Sequence, residues 1–229
     1  MLNEKALTTL LSSAIALSLF WFIPSVLGFR LPGVDKGYAP EQPIAFSHRL
    51  HAGEMEIPCL YCHSGADKSR HAGIPALRVC MNCHDGVLAP IAAVKAEDAA
   101  AEKENRDARQ IVSPEILKIY TALGLDVSLK ADPALTPAPV AWKRVHNLPD
   151  FVYFDHRPHV NAGVACGACH GPVETMDRVR QYSALTMGWC VDCHRRSRVY
   201  APPDSSDIGS LANGIKPAHV AVDCSRCHY

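Results

Sequence analysis

The sequence predicts a mostly irregular fold. Short α-helices and loops wrap around bound groups rather than a large apolar core, and one N-terminal transmembrane helix precedes them. Three observations predict this. All ten cysteines of the 229-residue chain fall into C-x-x-C-H units. A second motif, F-x-H-x-x-H, occurs twice, each time ahead of two such units. Residues 6–28 are uncharged and predominantly apolar, while the chain as a whole carries 17 prolines, 14 glycines and only 7 % aromatic residues.

The N-terminal element comes first. As a helix, residues 6–28 (ALTTLLSSAIALSLFWFIPSVLG) would span ~34 Å at ~1.5 Å per residue, enough to cross a bilayer with modest tilt. Phe20, Trp21 and Phe22 suit the interfacial aromatic belt. A cleaved signal peptide is the rival reading, with Val26-Leu27-Gly28 as its cleavage site. Its basic region would be only Lys5 and the terminal amine, so the length favours an uncleaved anchor over residues 1–28.

The cysteine units are Cys59/Cys62/His63, Cys80/Cys83/His84, Cys166/Cys169/His170, Cys190/Cys193/His194 and Cys224/Cys227/His228. C-x-x-C-H reads as c-type haem attachment. Each thiol adds to one vinyl group, the two-residue gap matches the separation of the vinyls, and the adjacent histidine binds iron from one side. Zinc would need four ligands per site, and five pairs cannot all be matched into two-pair sites. A disulfide framework belongs to shorter secreted domains and leaves the trailing histidines unexplained. The expectation is five covalently bound haem c groups, with His63, His84, His170, His194 and His228 as proximal ligands. Covalent attachment follows export. The haems are therefore expected on the periplasmic side of a bacterial inner membrane, with the N-terminus inside.

Seven of the twelve histidines remain for the opposite faces of the irons. His48 and His51 precede the first unit, and His63 already fills one position on its iron, so these two serve different haems or one of them is idle. Phe46-Ser47-His48-Arg49-Leu50-His51 is echoed by Phe154-Asp155-His156-Arg157-Pro158-His159. Two duplicated di-haem modules with a further C-terminal haem follow from that repeat. The distal candidates are His48, His51, His146, His156 and His159, with His71 and His219 as further imidazoles. Met187 and Met176 are the thioether candidates, although methionine more often fills gaps in a core. A His/Met haem would sit at higher potential than a bis-histidine one.

Between the modules, residues 91–109 read as an exposed helix. Ser113-Pro114-Glu115 starts another, with an N-cap followed by proline in the first turn, and Gly124 ends it. The proline-punctuated residues 125–141 read as a linker. The expected domains are thus the anchor (1–28), a first di-haem module with its following helices (29–124), the linker (125–141) and a second module with three haems (142–229). Twenty-three basic residues balance twenty-three acidic ones, and no basic patch suggests nucleic acid. Two propionates per haem would make the mature protein acidic, with Arg49 and Arg157 either holding propionates or facing solvent.

The paired blocks resemble class III multihaem cytochromes. More closely, GYAPEQPIAFSHRLHAG, CLYCHSGADKS, AGIPALRVCMNCH, VHNLPDFVYFDHRPHV and LTMGWCVDCHR resemble the pentahaem cytochrome c subunit of alternative complex III, a bacterial quinol-oxidising respiratory complex. The resemblance runs from about residue 37 to the C-terminus and is weak between 90 and 140. It implies that the first histidine of each pair ligates the haem that follows, and that the second reaches another. It also implies a non-catalytic electron-transfer subunit. Its implied partners are a polytopic quinol-binding membrane subunit, an iron–sulfur subunit related to molybdopterin oxidoreductases, a monohaem cytochrome c, and a soluble cytochrome or terminal oxidase. The alternative is a self-sufficient, membrane-anchored multihaem quinol dehydrogenase feeding a periplasmic reductase. A multihaem nitrite reductase would carry a C-x-x-C-K unit, whereas all five units here end in histidine.

Overall fold

A computed structural model describes residues 3–26, 35–200, 217–219 and 222–229, with no side chains described for 24–26, 198–200 or 217–219. Helix α1 (Glu4–Val26) is apolar and exposed along the side chains described. It is long and apolar enough to cross a membrane, and so is a candidate anchor. Leu27 and Gly28 of the expected segment lie outside the described residues.

The remainder is helical and irregular. A π-helical turn (Arg49–Glu54) leads to α2 (Cys59–Cys62), α3 (Leu77–His84), α4 (Ile91–Glu104) and α5 (Pro114–Leu123). The second half contains α6 (His156–Asn161), α7 (Cys166–His170), a 3₁₀ turn (Val173–Thr175), α8 (Met187–Arg196) and α9 (Cys224–Cys227). Strands β1 (Arg198–Tyr200) and β2 (Pro217–His219) form an antiparallel ribbon, with Arg198 opposite His219.

The apolar core is small and centres on α5. Its local sequence explains it. Ser113 Oγ accepts from the Ile116 amide at 3.3 Å, Pro114 occupies the first turn, and Gly124 closes the helix at φ 72°, a left-handed conformation that costs glycine nothing. Ile116, Ile119, Tyr120 and Leu123 then share one helical face. The first three are buried with Ile44, and Leu77 and Met81 of α3 pack against them. Among the described residues only seven apolar side chains are buried, too few for a chain of this length to be organised by its own core.

Two elements depart in detail from the sequence reading. The helix expected over 91–109 stops at Glu104. Asn105 turns left-handed at φ 50°, and Arg106 folds back onto Glu97 at 2.6 Å, which draws Glu97 down to about 2. That helix is also covered at one point, where Ala101 is buried. Residues 125–141 fold back over α5 rather than running free. Asp126 Oδ1 accepts from the Ser128 and Lys130 amides, the Ala138 amide donates to the Ala122 carbonyl, and Val140 and Trp142 join the core cluster.

The two halves dock through the π-helical turn and the 3₁₀ turn. The Arg49 amide donates to the Met176 carbonyl at 3.0 Å, and a Cβ on Gly53 would run into the Glu174 carbonyl oxygen. Glycine is required there by close approach, not by φ.

Candidate functional site

All five C-x-x-C pairs lie on helical turns: α2, the second half of α3, α7, α8 and α9. Three residues apart on a helix, the two thiols of each pair share one face. The histidine that follows ends or closely follows the turn. The His63 amide donates to the Cys59 carbonyl at 2.8 Å, and His228 to Cys224 at 2.9 Å.

The rings of these histidines face others. His48 lies opposite His63 with ring centres 6.4 Å apart and planes parallel within 1°. His156 stands opposite His170 at 6.4 Å and 3°. His51 faces His84 at 6.1 Å, and His159 faces His194 at 5.9 Å. Two imidazoles bound to opposite sides of one metal, at ~2.0 Å per metal–nitrogen bond and with ring centres ~1.1 Å behind each nitrogen, would stand ~6.2 Å apart. The four observed spacings match that distance.

Hydrogen bonds place the ring protons as such ligands require. Nδ1 of His63 meets the Gly73 carbonyl at 2.7 Å, and Nδ1 of His84 meets that of Val87 at 2.8 Å. His51 meets Ser47, His156 meets Arg70 and His159 meets Asp155, each at 2.8 Å. A carbonyl only accepts, so Nδ1 carries the proton and Nε2 keeps its lone pair for iron. Burial, with nearby His63 and His51, pushes His48 down to about 4, and burial lowers His170 as well. Both rings stay neutral near pH 7, the form that binds a metal. The residues present therefore fit haem on both sides of four attachment units.

The thiols also show which units adjoin. Burial raises the thiols of Cys59, Cys62, Cys80, Cys169 and Cys190, and a cysteine of an adjoining unit adds to each: Cys166 to Cys59, Cys83 to Cys62, Cys62 to Cys80, Cys193 and Cys190 to Cys169, and Cys227 to Cys190. The units thus follow one another in space as second, first, third, fourth, fifth.

The other candidates are placed differently. His146 directs Nε2 to His170 Nδ1 at 3.2 Å, their planes almost perpendicular at 85°. Burial, then His170 and His156, push His146 down to about 4. His228 meets the Phe151 carbonyl at 3.3 Å and stacks on the Phe151 ring. His71 is exposed, with its amide on Ser69 Oγ; Met187 is exposed at the start of α8; and Met176 is buried at the docking seam. His219 lies in β2, its side chain outside the described residues. Arg49 pairs with Glu54 and Asp177, and Arg157 with Asp155.

Sequence reasoning missed the acceptors that orient the rings, because a backbone carbonyl has no signature in the sequence. It also gave no role to the phenylalanine of the repeat. Phe46 packs against both His48 and His51, and Phe154 against both His156 and His159. The repeated F-x-H-x-x-H spacing was the signal for that contact.

Residues 152–229 match the family described as cytochrome c7 and related cytochrome c. Over 188 residues the chain is 25 % identical to the multiheme cytochrome c subunit of menaquinone reductase from Nitratidesulfovibrio vulgaris, covering 82 % of this chain and 68 % of that protein. The chain is thus similar to multihaem cytochromes c, whose haem is held by cysteine and histidine.

Proposed function

We propose that this chain is the electron-transfer subunit of a membrane quinol-linked oxidoreductase of the alternative complex III kind. Five C-x-x-C pairs hold haem c through thioethers, and His63, His84, His170, His194 and His228 are the proximal ligands. His48, His51, His156 and His159 are the distal ligands of the first, second, third and fourth units. When bound, haem supplies a one-electron couple at each iron. The protein's part is to fix ring orientation, exclude water and set the order of sites.

One observation carries this reading: four pairs of imidazoles face each other at 5.9–6.4 Å. Histidine on both sides leaves those four irons no position for a substrate, which favours a relay over a catalyst. The contiguous order of the thiols supports a single row with the second and fifth units at its ends. Helix α1 supports an anchor; covalent haem attachment, which follows export, puts the N-terminus inside and the haem domain on the periplasmic side of the inner membrane. Partners on this reading are a polytopic quinol-binding subunit, an iron–sulfur subunit, a monohaem cytochrome c, and a soluble cytochrome or terminal oxidase.

Electron paramagnetic resonance of the oxidised protein tests the relay. Predominantly low-spin iron is expected, and predominantly high-spin iron would refute it.

The direction of flow admits a second reading, favoured by the relative named as a subunit of menaquinone reductase. There, electrons would run toward the quinone. Membranes containing the whole complex distinguish the two. Rapid haem reduction by menaquinol supports outward flow, whereas rapid oxidation of pre-reduced haem by menaquinone supports the reverse.

A further inference from the structure

The segment Val145–Phe151 runs between the proximal histidines of two units. At one end His146 Nε2 lies 3.2 Å from His170 Nδ1; at the other, the Phe151 carbonyl lies 3.3 Å from His228 Nδ1. His63 and His84 give their Nδ1 protons to backbone carbonyls, whereas Nδ1 of His170 faces an imidazole nitrogen. The opposite face of His170 is already taken, since His156 stands across from it at 6.4 Å and 3°. The two rings of the His146–His170 pair have centres only 4.4 Å apart and stand almost perpendicular. That spacing is too short, and that angle wrong, for two ligands on opposite sides of one iron.

We propose that His146 is a positioning residue of the third unit: its Nε2 lone pair accepts the His170 Nδ1 proton, fixes the orientation of that ring and makes it a stronger donor to iron. An imidazole nitrogen is a better base than a peptide carbonyl, so it draws the shared proton further from His170. A more electron-rich proximal ligand favours the ferric state and lowers the potential of that site. His146 acts through His170 and touches no iron. This inference rests on the haem reading of Cys166, Cys169 and His170.

The test uses the purified full-length holoprotein and three variants: His146→Leu removes the acceptor, His146→Gln keeps one, and His146→Asn is too short to reach. Haems per chain are counted first by pyridine haemochrome. Fewer than five in the wild type would overturn the haem reading itself, independently of His146. With five present, His146→Leu keeps the same share of low-spin iron as the wild type in paramagnetic resonance. One of the five redox components moves to higher potential, a change of about tenfold in its reduction equilibrium, or ~59 mV for one electron. His146→Gln returns it part of the way. Should the leucine variant fail to assemble, His146→Asn is expected to show the same shift. More high-spin iron in His146→Leu or His146→Asn than in the wild type would make His146 an axial ligand and overturn the proposal. An unchanged redox titration in both would overturn it as well.

Discussion

In the first F-x-H-x-x-H copy, Phe46 stands edge-on to His48 at 4.9 Å and 84°. In the second, Phe154 stands edge-on to His156 at 4.8 Å and 82°. The first histidines face their partners at the same 6.4 Å, with planes within 3° of parallel in both. After that the copies diverge. The first enters a π-helical turn and the second an ordinary α-helix, with Pro158 tolerated in its first turn. The second histidines accordingly tilt against their partners by 62° and 39°. The carboxylates differ too. Asp155 lies inside its own copy, capping α6 and pairing with Arg157. The first copy has Ser47 there, and Ser47 and Arg49 both reach Asp177 of the other half. The second copy supplies its own anion, whereas the first takes one from its neighbour. Its geometry thus depends on docking.

The surroundings of the first histidines also differ. His156 Nδ1 has the Arg70 carbonyl, whereas His48 Nδ1 is buried and has no hydrogen-bond partner among the described residues. Donor strength should follow, leaving the third unit at lower potential than the first.

The largest expected effect comes from removing the matched ligands. His48→Ala and His156→Ala should each turn one low-spin iron high-spin, about one part in five of the paramagnetic signal. Resonance spectra that lose no low-spin iron in one of the two variants would break the equivalence of the copies. Next comes the seam. Gly53→Ala pushes a methyl into the Glu174 carbonyl and should cost roughly 1–3 kcal/mol of stability in a denaturant titration, as overpacking does. It should perturb the first and second units more than the fourth and fifth. Tyr120→Phe is milder. The Tyr120 hydroxyl, on a fully buried ring, donates to the His84 carbonyl. Its loss should cost about 1 kcal/mol, with a changed spectrum confined to the second unit.

Acid gives the smallest and most selective contrast. The Arg157 guanidinium holds Asp155 well below the usual carboxylate range, and Arg49, then Ser47, hold Asp177 below it. A depressed carboxylate adds stability that is present above its unfolded value of 3.8 and is lost as pH falls below that value. Asp155→Asn should therefore blunt acid sensitivity around α6, and Asp177→Asn should blunt it at the seam. Hydrogen exchange resolved by segment between pH 5 and 2 checks both. Salt should weaken the Asp177 contact more, because both of its partners are exposed.

Much of this was legible in the sequence, and the reasons are specific. The C-x-x-C-H units consume every thiol, the F-x-H-x-x-H repeat marks the two histidine pairs, and Ser113-Pro114 with Gly124 marks both ends of α5. What escaped depends on distant chain segments. Nothing local tells that Asp177 completes the first copy, or that residues 125–141 return to cover α5. The end of α4 at Glu104 comes where Asn105 turns left-handed and Arg106 folds back to Glu97. His146 reads as a distal-ligand candidate, and nothing local in the sequence tells that its Nε2 lies 3.2 Å from His170 Nδ1.

The central claim is covalent haem at five helical turns, four of them held between paired imidazoles. Proteolysis of the purified protein followed by mass spectrometry of the Cys59, Cys80, Cys166, Cys190 and Cys224 peptides tests it most directly. The account predicts one haem on each peptide, joined through both cysteines. Peptides recovered with free thiols, a disulfide or zinc would contradict it.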